Sequence, residues 1–185
     1  MVDFVEPASN IQRSSQARLS RAARAENRAA FLADAGANGF VPSASVEVRF
    51  EQADVGVAQH LAIAEGAEVT VRERILRANG QVVQLSVSRL SRELTRGTVI
   101  EDVETGPGGT YARLEEAGHR LGSFVEHVGA RLPTPAEAAL LHLSEGTPVL
   151  TVTRVAHGED GSPLEINDMV LAADRYQLSY AWPAD

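Results

Sequence analysis

HLAIAEGAEVTVRERILRANGQVVQL, residues 60–85, returns about 80 residues later as LHLSEGTPVLTVTRVAHGEDGSPLEI, residues 141–166. Superposing the two places Glu65-Gly66 on Glu145-Gly146 and Arg74 on Arg154. Each half reads strand, helix, strand, turn, strand. The period is too long for a solenoid. Two such units make an α+β layer: a mainly antiparallel sheet of about six strands flanked by short helices.

Working outward, Asn79-Gly80 lies between two alternating runs, Glu68–Arg77 and Gln81–Leu90, and predicts a tight hairpin. A second hairpin is expected from Val149–Ala156 and Pro163–Leu171 around Glu159-Asp160-Gly161. Ser45–Phe50 and Leu121–Arg131 read as further strands, and Val55–Ile63 has helical spacing. Thr134-Pro135-Ala136-Glu137 is a helix start, with Thr at the N-cap, Pro at N1 and an acid in the first turn. Residues 92–109 read as a loop around Gly106-Pro107-Gly108-Gly109, followed by a short helix over Tyr111–Ala117. Residues 1–15 read as a tail or linker. The Ala- and Arg-rich stretch 16–38 has good helix propensity, with Asn27 a candidate cap.

Alternation sorts the strand faces. Val69, Val71 and Ile75 share one face, as do Val83, Leu85 and Val87, and Leu164, Ile166 and Val170. The opposite faces carry Arg72, Arg74 and Leu76, then Gln84, Ser86 and Ser88, then Glu165, Asn167 and Met169. Such polar faces either meet solvent, as in many antiparallel sheets, or line a cleft. In a cleft, Arg suits carboxylate or phosphate through bidentate hydrogen bonds. The Gly106–Gly109 loop before a helix start can offer N–H groups to the same anion or serve as a plain connector.

The chain has 185 residues and a formal charge of −8, which argues against nonspecific affinity for nucleic acid or membrane. Residues 1–30 run against this trend, with five Arg to three acids. There is no Cys, which excludes disulfides and thiolate chemistry and fits a reducing cytoplasm. No apolar run approaches the ~20 residues of a membrane span, and the N-terminus lacks the features of a signal peptide. The five His are scattered, and no acidic cluster has metal-ligand spacing. No nucleophile elbow, phosphate loop or dinucleotide fingerprint occurs. No catalytic pair, metal or cofactor is assigned.

Three segments in order carry a family resemblance: RILRANGQVVQLSVSRL from 74, TYARLEEAGHRLGSFVEHVGARLPTPAEAALLHLSEGTPVLTVTRV from 110, and GSPLEINDMVLAADRYQL from 161. Together they resemble the UTRA effector-binding domain of HutC-subfamily, GntR-type bacterial transcription regulators. The resemblance spans residues 27–182, leaving 1–26 as the linker after a winged helix-turn-helix that this chain lacks. It implies a chorismate-lyase-like fold with the ligand in a cleft. In sugar-phosphate-sensing members the first Arg of an Arg-x-Arg strand holds the ligand, and that position is Arg74; the second falls on Leu76. An acidic residue on the returning strand becomes Ser86. A Ser-x-Tyr pair falls on Gly109 and Tyr111, so only the Tyr is kept. The Glu of the last hairpin is kept as Glu165, and an aromatic six residues later is Leu171. The anion-holding backbone falls near Ala30 and Phe31. Arg131 and Arg154 match family positions and are read as structural.

The effector site expected on these grounds comprises Arg72, Arg74, Ser86, Ser88, Gly109, Thr110, Tyr111, Glu165, Asn167, Ala30 and Phe31. With about half of the sugar-phosphate set replaced, a smaller or less polar anionic metabolite is expected. The implied partners are that small molecule, a second copy of the chain, and operator DNA through the missing domain. The alternatives are a ligand-free dimerising module and, from fold alone, a chorismate-lyase-like enzyme.

Overall fold

The structure is a computed structural model that describes residues 10–14, 19 and 30–181. In chain order the elements are β1 (Ile11–Ser14), α1 (Ala30–Ala37), β2 (Pro42–Gln52), α2 (Val55–Leu61), β3 (Glu68–Ala78) and β4 (Gln81–Ser91). Then follow α3 (Arg92–Thr95), a 3-10 turn (Val99–Glu101), α4 (Gly109–Glu116), β5 (Leu121–Arg131), α5 (Pro135–Leu141), β6 (Val149–Gly158), β7 (Pro163–Ala172) and β8 (Tyr176–Ser179).

The main sheet has six antiparallel strands in the order β2-β3-β4-β7-β6-β5. Each half of the repeat supplies three adjacent strands, and β4 and β7 join the halves at the centre. The repeat extends to its caps. Asp54 and Thr134 are the N-caps of α2 and α5, each side chain accepting from the N3 amide. Ala62 and His142 are the left-handed C-caps, at φ 52° and 50°. Gly66 and Gly146 follow with φ of 77° and 78°. Asn79 and Gly80, both at positive φ, make the predicted hairpin turn.

Both repeat helices cover one face of the sheet. Val57 and Leu61 of α2 pack on Val69, Val71, Val155 and Ile166, and Leu141 of α5 packs on Val82, Val149 and Ala172. The other face carries two separated apolar clusters. One gathers Ile11, Phe31, Leu76, Met169 and Tyr176; the other gathers Leu90, Ile100, Leu114, Leu121 and Leu164. The gap between them is the cleft described below.

Strict alternation misplaces Val83 and Leu164. The β3–β4 register runs Leu76↔Gln84 and then Arg77↔Val82, so Val83 is a bulged extra residue. Likewise Ala156 pairs Glu165 and His157 pairs Pro163, which leaves Leu164 extra. A bulge flips the side-chain parity. Val83 therefore joins the cluster of Phe31 and Leu76, and Leu164 that of Leu90 and Ile100.

Two loop assignments also change. Residues 92–109 hold α3 and the 3-10 turn, begun by Ser91 and Thr98, whose hydroxyls accept from the Glu93 and Ile100 amides. Ile100 anchors this segment, fully buried. Ile11–Ser14, expected as tail or linker, form a parallel pair with β8. The expected Asn27 cap and most of residues 16–29, for which a helix was expected, lie outside the described residues.

Candidate functional site

Arg72 and Arg74 point to the cleft side of β3, Gln84 and Ser86 to that side of β4, Glu165, Asn167 and Met169 to that of β7, and Arg154 to that of β6. The cavity above them measures about 420 Å³, a volume suited to a small metabolite. Its walls come from Phe31 of α1, Pro42–Val46 of β2, the Val103–Gly108 loop and the start of α4. The polar face is therefore enclosed rather than solvated. Gln84, Ser86, Asn167, Glu165, Arg72 and Arg154 are all buried.

Nine of the eleven expected residues line the cavity: Phe31, Arg72, Arg74, Ser86, Gly109, Thr110, Tyr111, Glu165 and Asn167. Ser88 does not. It is fully buried, and its hydroxyl accepts from Arg74 Nη2, so it supports the arginine from beneath. Ala30 begins α1, and its side chain lies outside what the structure describes. Sequence reasoning did not place Val46, Val103, Glu104 and Thr105 at the cavity, because strand β2 and the 103–108 loop reach it only through the fold.

The arginines divide by partner. Arg72 spends its donors on the protein: Nη1 donates to the Ile100 and Asp102 carbonyls at 2.5 Å, and Nη2 to Val103 at 3.0 Å. Burial, with Arg74 beside it, pushes its pKa down to about 10, so it stays charged at neutral pH. It fastens the segment that becomes the cavity wall. Arg154 donates from Nε to Glu126 at 2.9 Å. Burial alone would lower its pKa, but Tyr111 and Glu126 raise it instead. Arg154, read from the sequence as structural, pairs with Glu126 and also forms part of the cavity floor.

Arg74 is different. Among the described residues it forms no ion pair; its Nη2 finds only Ser88, and its Nε is buried without a partner. The repeat explains why. Glu126 stands opposite Arg154 across the β5–β6 ladder, and Val46 stands opposite Arg74 across the β2–β3 ladder. The second half carries its own carboxylate where the first half has an apolar side chain.

Around Arg74 the groups have fixed orientations. Tyr111 donates its hydroxyl to Glu165 at 2.5 Å; burial, then the Glu165 charge, pushes the phenol well above its ordinary pKa. Ser86 donates to Asn167 at 2.8 Å. Gly108, the N-cap of α4, takes φ 81° and offers no side chain to the amides behind it. Leu76, Met169, Phe31 and Val46 supply an apolar wall. The assembly can hold an anionic group at Arg74 and an apolar body beside it. Among the described residues no group of His and acids is placed to hold a metal ion.

A family profile for the UTRA domain matches residues 37–177. An uncharacterized HTH-type transcriptional regulator of Streptomyces coelicolor is 33% identical over 132 residues, covering 70% of this chain and 49% of that protein. The HTH-type transcriptional repressor PhnF of Mycolicibacterium smegmatis is 28% identical over 123 residues, covering 66% and 50%. The chain spans about half the length of these curated relatives. Among solved structures, that of M. smegmatis PhnF superposes with a TM-score of 0.80 at 22% identity, covering 95% of this chain and 73% of that one. The C-terminal domain of the histidine utilization repressor of Pseudomonas syringae superposes at 0.68 with 20% identity, covering 78% and 100%. The six-stranded fold is thus that of GntR-family effector domains, and on the match over residues 37–177 the chain belongs to the UTRA domain family.

Proposed function

We propose that this chain is the effector-sensing and dimerising part of a cytoplasmic HutC-type GntR regulator. Its cleft binds a small anionic molecule, and a winged helix-turn-helix elsewhere in the full-length polypeptide reads the operator as a homodimer. Ligand binding acts by favouring one arrangement of the two reading heads over another. Arg74 carries this reading: it is a half-buried guanidinium with no ion pair among the described residues, whereas Arg72 donates to three backbone carbonyls and Arg154 is paired with Glu126. The anionic group of the ligand takes, at Arg74, the place that Glu126 holds at Arg154. The relatives named above are transcription regulators rather than enzymes, and the cleft is read as a sensor.

The test is a thermal-shift screen of the purified chain against organic acids, phosphorylated sugars and nucleotides. A ligand at about 100 times its dissociation constant adds roughly 2.7 kcal/mol of stability. A carboxylate or phosphate that stabilises the protein but not Arg74→Ala supports the proposal. Silence across the panel from a folded dimer favours the ligand-free dimerising module instead.

A further inference from the structure

The cavity floor holds two side-chain amides that its ion pairs leave unused. Gln84 and Asn167 are 3% and 6% exposed and line the cavity from β4 and β7. Each has its oxygen occupied by a hydroxyl of the protein. Tyr176 donates to Gln84 Oε1 at 3.2 Å, and Ser86 donates to Asn167 Oδ1 at 2.8 Å. Neither amide nitrogen is bonded to another described residue, and neither is sealed off as the Arg74 Nε is. A carboxamide fixed by its oxygen has only N–H donors left to offer. Both amides therefore present donors to whatever fills the cavity, and donors so enclosed call for partners. The buried carboxylate on the same floor, Glu165, already takes the Tyr111 hydroxyl, and its charge faces Arg72 and Arg154.

The register sets the two amides apart. Asn167 stands opposite Ser88, the residue on which the Arg74 guanidinium rests. Gln84 lies four residues from Ser88 on β4, ~14 Å along the strand. Its neighbours across the ladders are Leu76 on β3 and Leu171 on β7. Neither is cationic, so a second ligand charge at that end would be enclosed without a counter-charge. From this arrangement we infer that the effector is a monocarboxylate whose far end carries a neutral oxygen acceptor, a carbonyl or an ether, received by the Gln84 amide. The inference deepens the sensor reading above and rests on it. The carboxylate meets Arg74 and the Asn167 amide, and Leu76, Met169 and Phe31 enclose the body between the two ends. A plain alkyl end would leave the Gln84 N–H groups unpaired, and an amine would oppose them with donors of its own. Gln84 thereby sets which carboxylates are accepted.

Isothermal titration of the purified chain with three series of acids tests this. One series is the plain alkanoates of about five to ten carbons, a range that brackets the strand spacing. The other two are the same chains ending in a methyl ketone or in an amine. At the best-fitting length the ketone acid is expected to bind about tenfold more tightly than the alkanoate. Gln84→Leu is expected to erase that difference, and Arg74→Ala to abolish binding of both. Gln84→Met repeats the comparison if the leucine variant loses its cooperative melt. Equal affinity of the wild type for ketone acid and alkanoate, or an unchanged preference in a folded Gln84 variant, overturns the role of Gln84 and leaves an Arg74-dependent sensor standing. Preference for the amine-ended acids overturns the assignment of N–H donors to the cavity. Silence from all three series overturns the ligand class, and the sensor reading falls with it only if the phosphorylated sugars and nucleotides of the thermal-shift screen are silent too.

Discussion

Arg74 and Arg154 occupy equivalent places in the repeat, yet only Arg154 faces a carboxylate, Glu126. Arg74 is half-buried, and a partly buried charge without a counter-charge carries a cost that a side chain or a ligand can offset. Val46→Glu therefore places an internal anion where the effector's is proposed to sit. We predict that this variant is at least as stable as the wild type by urea denaturation and no longer responds to any acid found in the thermal-shift screen. An undiminished response would place the ligand's anionic group away from Arg74. The polar composition of the cleft was legible in the sequence, because alternation puts Arg72, Arg74, Ser86, Glu165 and Asn167 on one side of their strands. Which arginine is free was not legible. That depends on cross-strand neighbours and on Arg72 reaching the carbonyls of Ile100, Asp102 and Val103.

Among the elements, α5 shows how far local chemistry alone reaches. Thr134 accepts from the Glu137 amide at 3.2 Å while the Glu137 carboxylate accepts from the Thr134 amide at 2.8 Å, a complete capping box. Arg131 then grips Glu137 with two bonds of 2.6 and 2.7 Å. That guanidinium, followed by the cap amide, holds the Glu137 carboxyl down at about 2. A depressed carboxyl contributes stability above its unfolded pKa of about 4.3 and loses it as pH falls towards the folded value. Glu137→Gln should cost about 1–2 kcal/mol at pH 7, allowing for solvent screening and the lost cap. Its urea midpoint should also fall less steeply than the wild type's between about pH 5 and 2. Parallel pH profiles for the two proteins would contradict this role. This helix start could be read from Thr134-Pro135-Ala136-Glu137 because every partner lies within one turn. The bulges at Val83 and Leu164 could not, because the extra residue exists only relative to the paired strand. The turn over Val99–Glu101 was hidden for a similar reason: Ile100 holds it by burial against distant Leu114 and Leu121.

At the scale of the whole molecule, the N-terminal segment matters most to the proposed signalling. Ile11 is 1% exposed and packs in the cluster of Phe31, Leu76 and Met169, three residues that also line the cleft. Arg13 on the same strand is ion-paired with Glu126. β1 is thereby joined to the walls of the cleft. Ile11→Ala should cost about 2–5 kcal/mol in urea denaturation, whereas a loose tail would show less than about 0.5 kcal/mol. By itself the sequence determined the repeat, the hairpin at Asn79-Gly80, the Thr134 helix cap and the sorting of most strand residues into an apolar and a polar face. Those features depend on neighbours a few residues apart and on period-two alternation. The tertiary structure alone decided that the polar face is enclosed, that β1 pairs with β8, that β2 and β5 form the edges, and that Arg74 faces Val46 rather than a carboxylate across its ladder. Each of these turns on contacts between segments far apart in the chain, and alternation within a strand carries no record of what lies across from it.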